Sequence, residues 1–380
     1  MSRRRRLADY YRQFEALSPA ENSQRLRERR GEERSQELAR VPDLDMSGTA
    51  WHEPPDPEII NAATFALRRS INRYPDPPQP PGPAVHAIAR RHDVPVDRVA
   101  LGHGAGQLLQ AALRELAGGG EALMPWPSWG PLPALAGRAG VRGVPVPLAS
   151  DGSADLDALA AAATDATRAV VICSPNDPTG ALVAREALRD FTAALRPDVS
   201  VLVDEALVEL AGEGASVAPL VSELPNLLVF RSFSKAWAMA GLRAGYVLGS
   251  ATDAELLAVL TPGQGVASPT QAAVAAALED LDRAAGRLER RRFGIAAERA
   301  HLAARLADTP FSVLESAAHV VWLRGEDMTA AQITHGLAGQ RVHVASGAGW
   351  GDEEHVRVTL RERGATDRLV SALRALGSRS

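Results

Sequence analysis

The sequence predicts an α/β protein with a mostly parallel central sheet in a large domain, joined to a smaller α+β domain. Three observations carry that expectation. From about Val99, short apolar runs alternate with helix-like segments, as they do where helices cover both faces of a parallel sheet. Beyond Thr261-Pro262-Gly263 the pattern changes to a long helical region followed by two strand-like runs. The chain has 380 residues, 46% of them apolar and 23% charged, which is enough for one large core or two moderate ones.

Residues 1–45 read as a helical arm. Leu7, Tyr10, Tyr11, Phe14 and Leu17 fall at helical spacing, and Ser18-Pro19-Ala20-Glu21 joins an N-cap serine, a first-turn proline and a capping-box glutamate. Such an arm suits a solvated helix packed on the outside, or one covering a site or a partner subunit. After Trp51-His52-Glu53-Pro54-Pro55 a helix is expected over 57–71, closed by Asn72-Arg73-Tyr74-Pro75 and a proline-rich loop to Pro83. Strands are expected at 98–101, 121–124, 143–146, 169–173, 199–203, 227–230 and 244–248. Helices are expected between them at 105–116, 156–163, 185–195 and 219–224. A helical region over 269–307 then leads to strand-like runs at 320–323 and 356–360.

Charge and composition exclude several classes. A formal net charge of −4 argues against nucleic acid as the main partner. No apolar run approaches the roughly 20 residues of a membrane span, and the polar stretch after the basic Met1–Arg6 is unlike a signal peptide. One cysteine, Cys173, rules out a disulfide framework and suits a reducing cytoplasm. Nine histidines show no metal-ligand spacing, so no metal is expected.

Of the 42 basic side chains, all are arginine except Lys235. Arginine can stand in for lysine as a surface charge but not as an amine nucleophile, because its guanidinium stays protonated. Lys235 also follows an expected strand, within Phe230-Arg231-Ser232-Phe233-Ser234-Lys235. Two other strands end in acids, Asp177 after Val170–Cys173 and Asp204 after Val201–Val203. Ligands of open α/β sheets gather at such carboxyl ends. Gly102-His103-Gly104-Ala105-Gly106-Gln107 lies between a strand and a helix. It lacks the third glycine of a dinucleotide fingerprint, but a glycine turn at a helix N-terminus can hold a single phosphate.

These segments together resemble fold-type I pyridoxal-phosphate (PLP) enzymes, the class I/II aminotransferases, and most closely the histidinol-phosphate aminotransferases. Asn72–Pro77, Gly102–Gln107, Ser174–Gly180, Asp204-Glu205-Ala206, Ser232–Trp237, Ala240–Arg243 and Arg357 occur in family order and spacing over about 46–375. The resemblance implies that Lys235 holds PLP as a Schiff base and moves the substrate Cα proton. It implies that Asp204 pairs with the pyridine nitrogen, and that Trp129 stacks on the ring. Ser232, Ser234 and Arg243, with amides at Ala105 and Gly106, would bind the phosphate. Tyr74 would reach it from the other subunit of a homodimer. Arg357 would take the substrate α-carboxylate. It also implies a division into 46–75 and 263–380 as small domain and 76–262 as PLP-binding domain.

Three positions depart from the family. Asp177 replaces the usual asparagine and Leu207 the usual tyrosine, both of which serve the cofactor's phenolic oxygen. Leucine donates no hydrogen bond and an ionised aspartate adds negative charge, so the tuning of that oxygen is expected to differ. Ala345 replaces an arginine associated with the phosphate of histidinol phosphate, which argues against that substrate. Transamination between an amino acid or amine and a 2-oxo acid is the leading expectation. Decarboxylation, elimination or oxygen-dependent oxidation on the same fold, and a non-catalytic PLP-binding regulatory module, are the alternatives. Trp51, His52, His319 and Trp350 are candidates for the substrate side.

Overall fold

A computed structural model describes residues 41–76 and 79–378, together with Ala20, Ser23, Gln24, Arg27 and Glu28. The expected helix around Leu7–Leu17 and the capping box at Ser18–Glu21 lie outside the described residues, Ala20 excepted.

The strands run in chain order as β1 (Leu44–Asp45), β2 (Val99–Gly102), β3 (Glu121–Trp126), β4 (Arg142–Pro147), β5 (Thr167–Cys173), β6 (Ser200–Asp204) and β7 (Leu227–Ser232). They continue as β8 (Gly245–Leu248), β9 (Phe311–Val313), β10 (Val320–Gly325), β11 (Val342–His343), β12 (Ala345–Ser346) and β13 (His355–Thr359). Seven of them form one sheet in the order β2-β8-β7-β6-β5-β3-β4. Only β8 runs against the others. Each expected strand of this sheet is present; the apolar runs of the inner strands are buried on both faces, whereas the edge strand β4 is largely exposed. Val170 and Ile172 belong to one buried cluster, while their neighbours Ala169 and Val171 belong to the cluster on the opposite face.

The carboxyl ends of β2, β3, β5, β6 and β7 lie along one edge of this sheet, and the candidate site residues follow them. The helix α1 (Pro57–Ser70) precedes the sheet, and α2 (Ala105–Ala117) leaves the turn after β2. The expected helical region over 269–307 is two helices, α3 (Ser268–Ala277) and α4 (Leu281–Leu306), interrupted where Asp280 caps the second through Arg283 N–H. The segment expected as a helix over 219–224 is a short 3₁₀ turn, Ala218–Ser222.

A second sheet, in the order β12-β13-β10-β9, is antiparallel throughout. Its core joins Val321, Leu323, Val356 and Val358 to Leu302 and Leu306 of α4 and to Leu369 and Leu373 of α5 (Arg363–Gly377). β1 pairs in parallel with β11 and brings Leu44 and Met46 into the same cluster. In contrast, Ile59 of α1 and Ala273, Val274 and Ala277 of α3 are buried in the core of the large sheet. These two helices therefore pack with the large sheet, although the sequence assigns both to the smaller unit.

Candidate active site

A cavity of about 160 Å³ opens at the carboxyl edge of the large sheet. Ala105, Gly106, Trp129, Asp177, Asp204, Ser232, Ser234, Lys235 and Arg243 all line it, so nine of the sequence-predicted site residues meet in one place. The strand ends explain the meeting. β5 delivers Asp177, β6 ends on Asp204, and the turn after β7 presents Ser232, Ser234 and Lys235.

Asp204 is buried, and one of its oxygens accepts the backbone N–H of Ala206 at 3.0 Å. The other lies 3.9 Å from Cys173 Sγ, a thiol that burial holds protonated. Burial pushes the Asp204 carboxyl up to about 6, against the pull of the Ala206 amide and of Lys235. Burial also draws the Lys235 amine below the ordinary lysine range; Asp177 and Asp204 oppose this and Arg357 and Arg243 assist it. A buried acid and a buried amine, each displaced toward neutrality and lining one cavity, make this edge of the sheet the candidate functional site.

The residue after Asp204 serves a different purpose. Glu205 accepts from Arg231 Nε at 2.7 Å, Ser216 Oγ at 2.9 Å and Val217 N–H at 2.5 Å. Arg231 also donates to Glu209, which receives Trp237 Nε1 at 3.2 Å. This buried network ties the ends of β6 and β7 to the segment beyond Lys235, and so fixes Asp204 relative to Lys235.

The phosphate-type cradle is equally defined. Gly104, at φ 95°, turns the chain into α2 and leaves the first N–H groups facing the cavity. Arg243 Nη1 donates to Ser234 Oγ at 3.3 Å, and Ser234 N–H to Ser232 Oγ at 3.1 Å. A Cβ at Gly104 would stand 2.8 Å from Arg243 Nη2, and one at Gly106 would stand 2.5 Å from Trp129 Cη2. Both glycines keep room that a side chain would take.

Other predicted residues fall elsewhere. Arg357 stands beside the cavity, bonded to Asp177 at 2.6 Å and covered by the ring of Trp350, 5.1 Å from its centroid. Trp51 and His52 line a separate cavity with Arg287, Arg290 and Arg291. The Trp51 indole lies over Arg291 and donates to Glu53 at 3.1 Å, while His52 faces Glu362 at 3.6 Å, so neither points at Lys235. Tyr74 is 88% exposed and outside its own chain's cavity.

Sequence reasoning missed Thr49 and Ala50. The Lys235 amine donates to Thr49 Oγ1, and Ala50 lines the cavity. His319, held down to about 4 by burial and hence neutral, donates from Nε2 to Thr49 O at 2.9 Å. Ser47-Gly48-Thr49 has no periodicity or motif chemistry of its own, so only the pairing of β1 with β11 reveals that this segment crosses the site.

The family model for aminotransferase class I and II matches residues 45–373, which spans every element that builds the cavity. The chain belongs to this family. The aminotransferase is 32% identical over 329 residues to an aromatic amino acid aminotransferase of Cutibacterium acnes, covering 84% of this chain and 88% of that protein. It is 37% identical to one of Corynebacterium jeikeium, covering 83% of each chain. Its fold is shared with the histidinol-phosphate aminotransferase of Sinorhizobium meliloti solved with pyridoxal-5'-phosphate. That likeness has a TM-score of 0.77 and 24% identity, and covers 90% of this chain and 93% of that one. It is shared too with a mutant aspartate aminotransferase of Thermus thermophilus, with a TM-score of 0.80, 21% identity and coverage of 88% and 97%.

PLP is the cofactor of this family, and the residues of the aminotransferase fit it. The glycine-lined cradle with Arg243 and two serines suits a phosphate dianion. Asp204 suits a ring nitrogen, the face of Trp129 suits an aromatic ring, and the Lys235 amine suits an aldehyde. Among the described residues no helix is long and apolar enough to cross a membrane.

Proposed function

We propose that this aminotransferase takes its amino group from a donor with an apolar aromatic side group, passes it to a 2-oxo acid, and does not use histidinol phosphate. The carrying observation is Ala345, which pairs with Arg357 across β12 and β13. A phosphate-bearing substrate needs a cation at that side of the clamp, and a methyl group stands there instead. Leu207, buried against Ala318 and Val320, adds an apolar wall to the cavity. Relatives named aromatic amino acid aminotransferases support the same reading.

PLP when bound supplies an aldehyde for the amine and a ring that accepts the Cα electrons. The chain does the rest. Lys235 Nζ would hold the cofactor and, once freed by the incoming amine, would take the proton from the substrate Cα and hand it back, a task suited to an amine that burial draws below the ordinary lysine range. Thr49 Oγ1 accepts a hydrogen bond from that amine and orients it. Asp204, buried at the end of β6, would pair with the ring nitrogen and favour its protonated form. Ser232, Ser234, Arg243 and the amides of Ala105 and Gly106 would hold the phosphate, Trp129 would cover the ring, and Arg357, beside the cavity, would be the group for a substrate carboxylate. Asp177 and Leu207 line the same cavity, where the family's donors to the cofactor's phenolic oxygen would stand.

A homodimer completes this reading. Phe65, Ile71 and Tyr74 are 63%, 75% and 88% exposed, and a cavity of about 590 Å³ opens along the loop that follows them in the chain, at Asp76, Gln79 and Pro80. That apolar surface suits a second subunit whose site receives Tyr74.

The test mixes the holoenzyme and 2-oxoglutarate with phenylalanine, tyrosine, tryptophan, 2-phenylethylamine or histidinol phosphate, and follows glutamate formation. Aromatic donors are expected to turn over fastest. Histidinol phosphate as the best donor would overturn the proposal.

A further inference from the structure

Two residues for which the sequence suggests separate duties are bonded to each other. Asp177 follows β5, where the family's asparagine would face the cofactor, and Arg357 is the expected clamp for a substrate carboxylate. Arg357 Nη1 donates to Asp177 Oδ1 at 2.6 Å, with 12% and 9% of the two side chains exposed. Nη2 donates to Ser47 O at 2.5 Å. The remaining Nε–H is buried without an acceptor, and Trp350 covers one face of the group.

Both terminal nitrogens of the clamp are thus engaged, and its charge is offset from within the chain. An asparagine at 177 would leave the guanidinium uncompensated, free to draw a carboxylate by charge and by bidentate geometry. With Asp177 in place, an incoming carboxylate puts two negative groups on one cation in a water-poor site, where like charges repel strongly. A donor without a carboxylate meets no such repulsion.

We propose that Asp177 is a specificity-determining residue: it occupies the carboxylate clamp from inside, so the site selects only weakly for an α-carboxylate and accepts arylalkylamines beside aromatic amino acids. The proposal rests on the reading of Arg357 as the clamp.

The experiment measures binding of 3-phenylpropionate, an unreactive carboxylate, to the holoenzyme by calorimetry, with 3-phenylpropan-1-ol as the uncharged control. Four proteins are compared: wild type, Asp177→Asn, Arg357→Gln and the double variant. Asp177→Asn is expected to tighten 3-phenylpropionate about tenfold or more and to leave the alcohol unchanged. Arg357→Gln is expected to cost little in wild type but about tenfold or more in the Asp177→Asn background. The preference for phenylalanine over 2-phenylethylamine, as a ratio of kcat/KM, should rise with Asp177→Asn.

If Arg357→Gln weakens the carboxylate equally in both backgrounds, Arg357 is the clamp but Asp177 does not compete for it, and the proposal falls alone. If it weakens it in neither, the clamp reading falls and the proposal with it. Circular dichroism and melting verify that each variant is folded. Should Arg357→Gln fail to fold, Arg357→Lys, which keeps the charge but loses the fork, replaces it.

Discussion

Asp204 answers two opposing demands. Its carboxyl is raised from 3.8 to about 6 by burial, so the folded chain keeps the proton through a range where the unfolded chain has lost it. Stability contributed below pH 3.8 is therefore lost as pH rises to about 6, and stays lost above it. Asp204→Asn should stabilise the cofactor-free protein above pH 6 by up to about 3 kcal/mol, the equivalent of a shift of roughly two units, and should do nothing below pH 4. Urea melts across that pH range check this. The same variant should lower turnover by orders of magnitude if, as proposed, Asp204 is the acid that pairs with the ring nitrogen. Lys235→Arg should also lose nearly all turnover while melting like wild type, because guanidinium cannot replace the amine. Turnover near the wild-type rate would remove Lys235 from the mechanism. Both residues are legible in the sequence because a strand end and a residue type together specify the chemistry. The Asp177–Arg357 bond is not, since it joins side chains 180 positions apart.

The turn from β2 into α2 depends on space rather than on side chains. Gly106→Ala should push the Trp129 ring off its seat, because the new Cβ would stand 2.5 Å from Cη2. Gly104→Ala adds a strained φ of 95°, at a cost of about 1–3 kcal/mol. PLP affinity, read by spectral titration of the cofactor-free protein, should fall about tenfold or more in each variant, with little change in the strands behind the turn. Retention of wild-type affinity would mean the cradle is wider than the glycines imply. The inner strands of the large sheet are readable because their apolar runs are buried on both faces. β1, β9, β11 and β12 are too short to leave such a pattern, at two or three residues each. Trp51 and His52, suggested for the substrate side by their aromatic character, line a neighbouring cavity, Trp51 against Arg291 and His52 3.6 Å from Glu362.

Across the whole molecule, the proposed homodimer would form through the exposed face of α1 and the loop after it. Phe65→Glu with Ile71→Glu should shift sedimentation from dimer to monomer and weaken PLP binding, while Tyr74→Phe should weaken PLP binding without changing sedimentation. A wild-type monomer that binds PLP tightly would refute the shared site. The two cores are foreshadowed by the change of pattern near Thr261, but the placement of α1 and α3 with the large sheet is not, since helix packing partners leave no trace in local periodicity. The pairing of Leu44 with Val342 has a consequence for how the protein is made. The strand that leads Ser47 and Thr49 across the site has a partner nearly 300 residues downstream. On the ribosome, the large sheet can condense while its early segment still waits for an edge to join. Lys235 and Arg357 acquire their Thr49 and Ser47 contacts only once β11 has emerged. A nascent chain stalled before that point would carry the large sheet with Lys235 in place but without the segment that seats its amine.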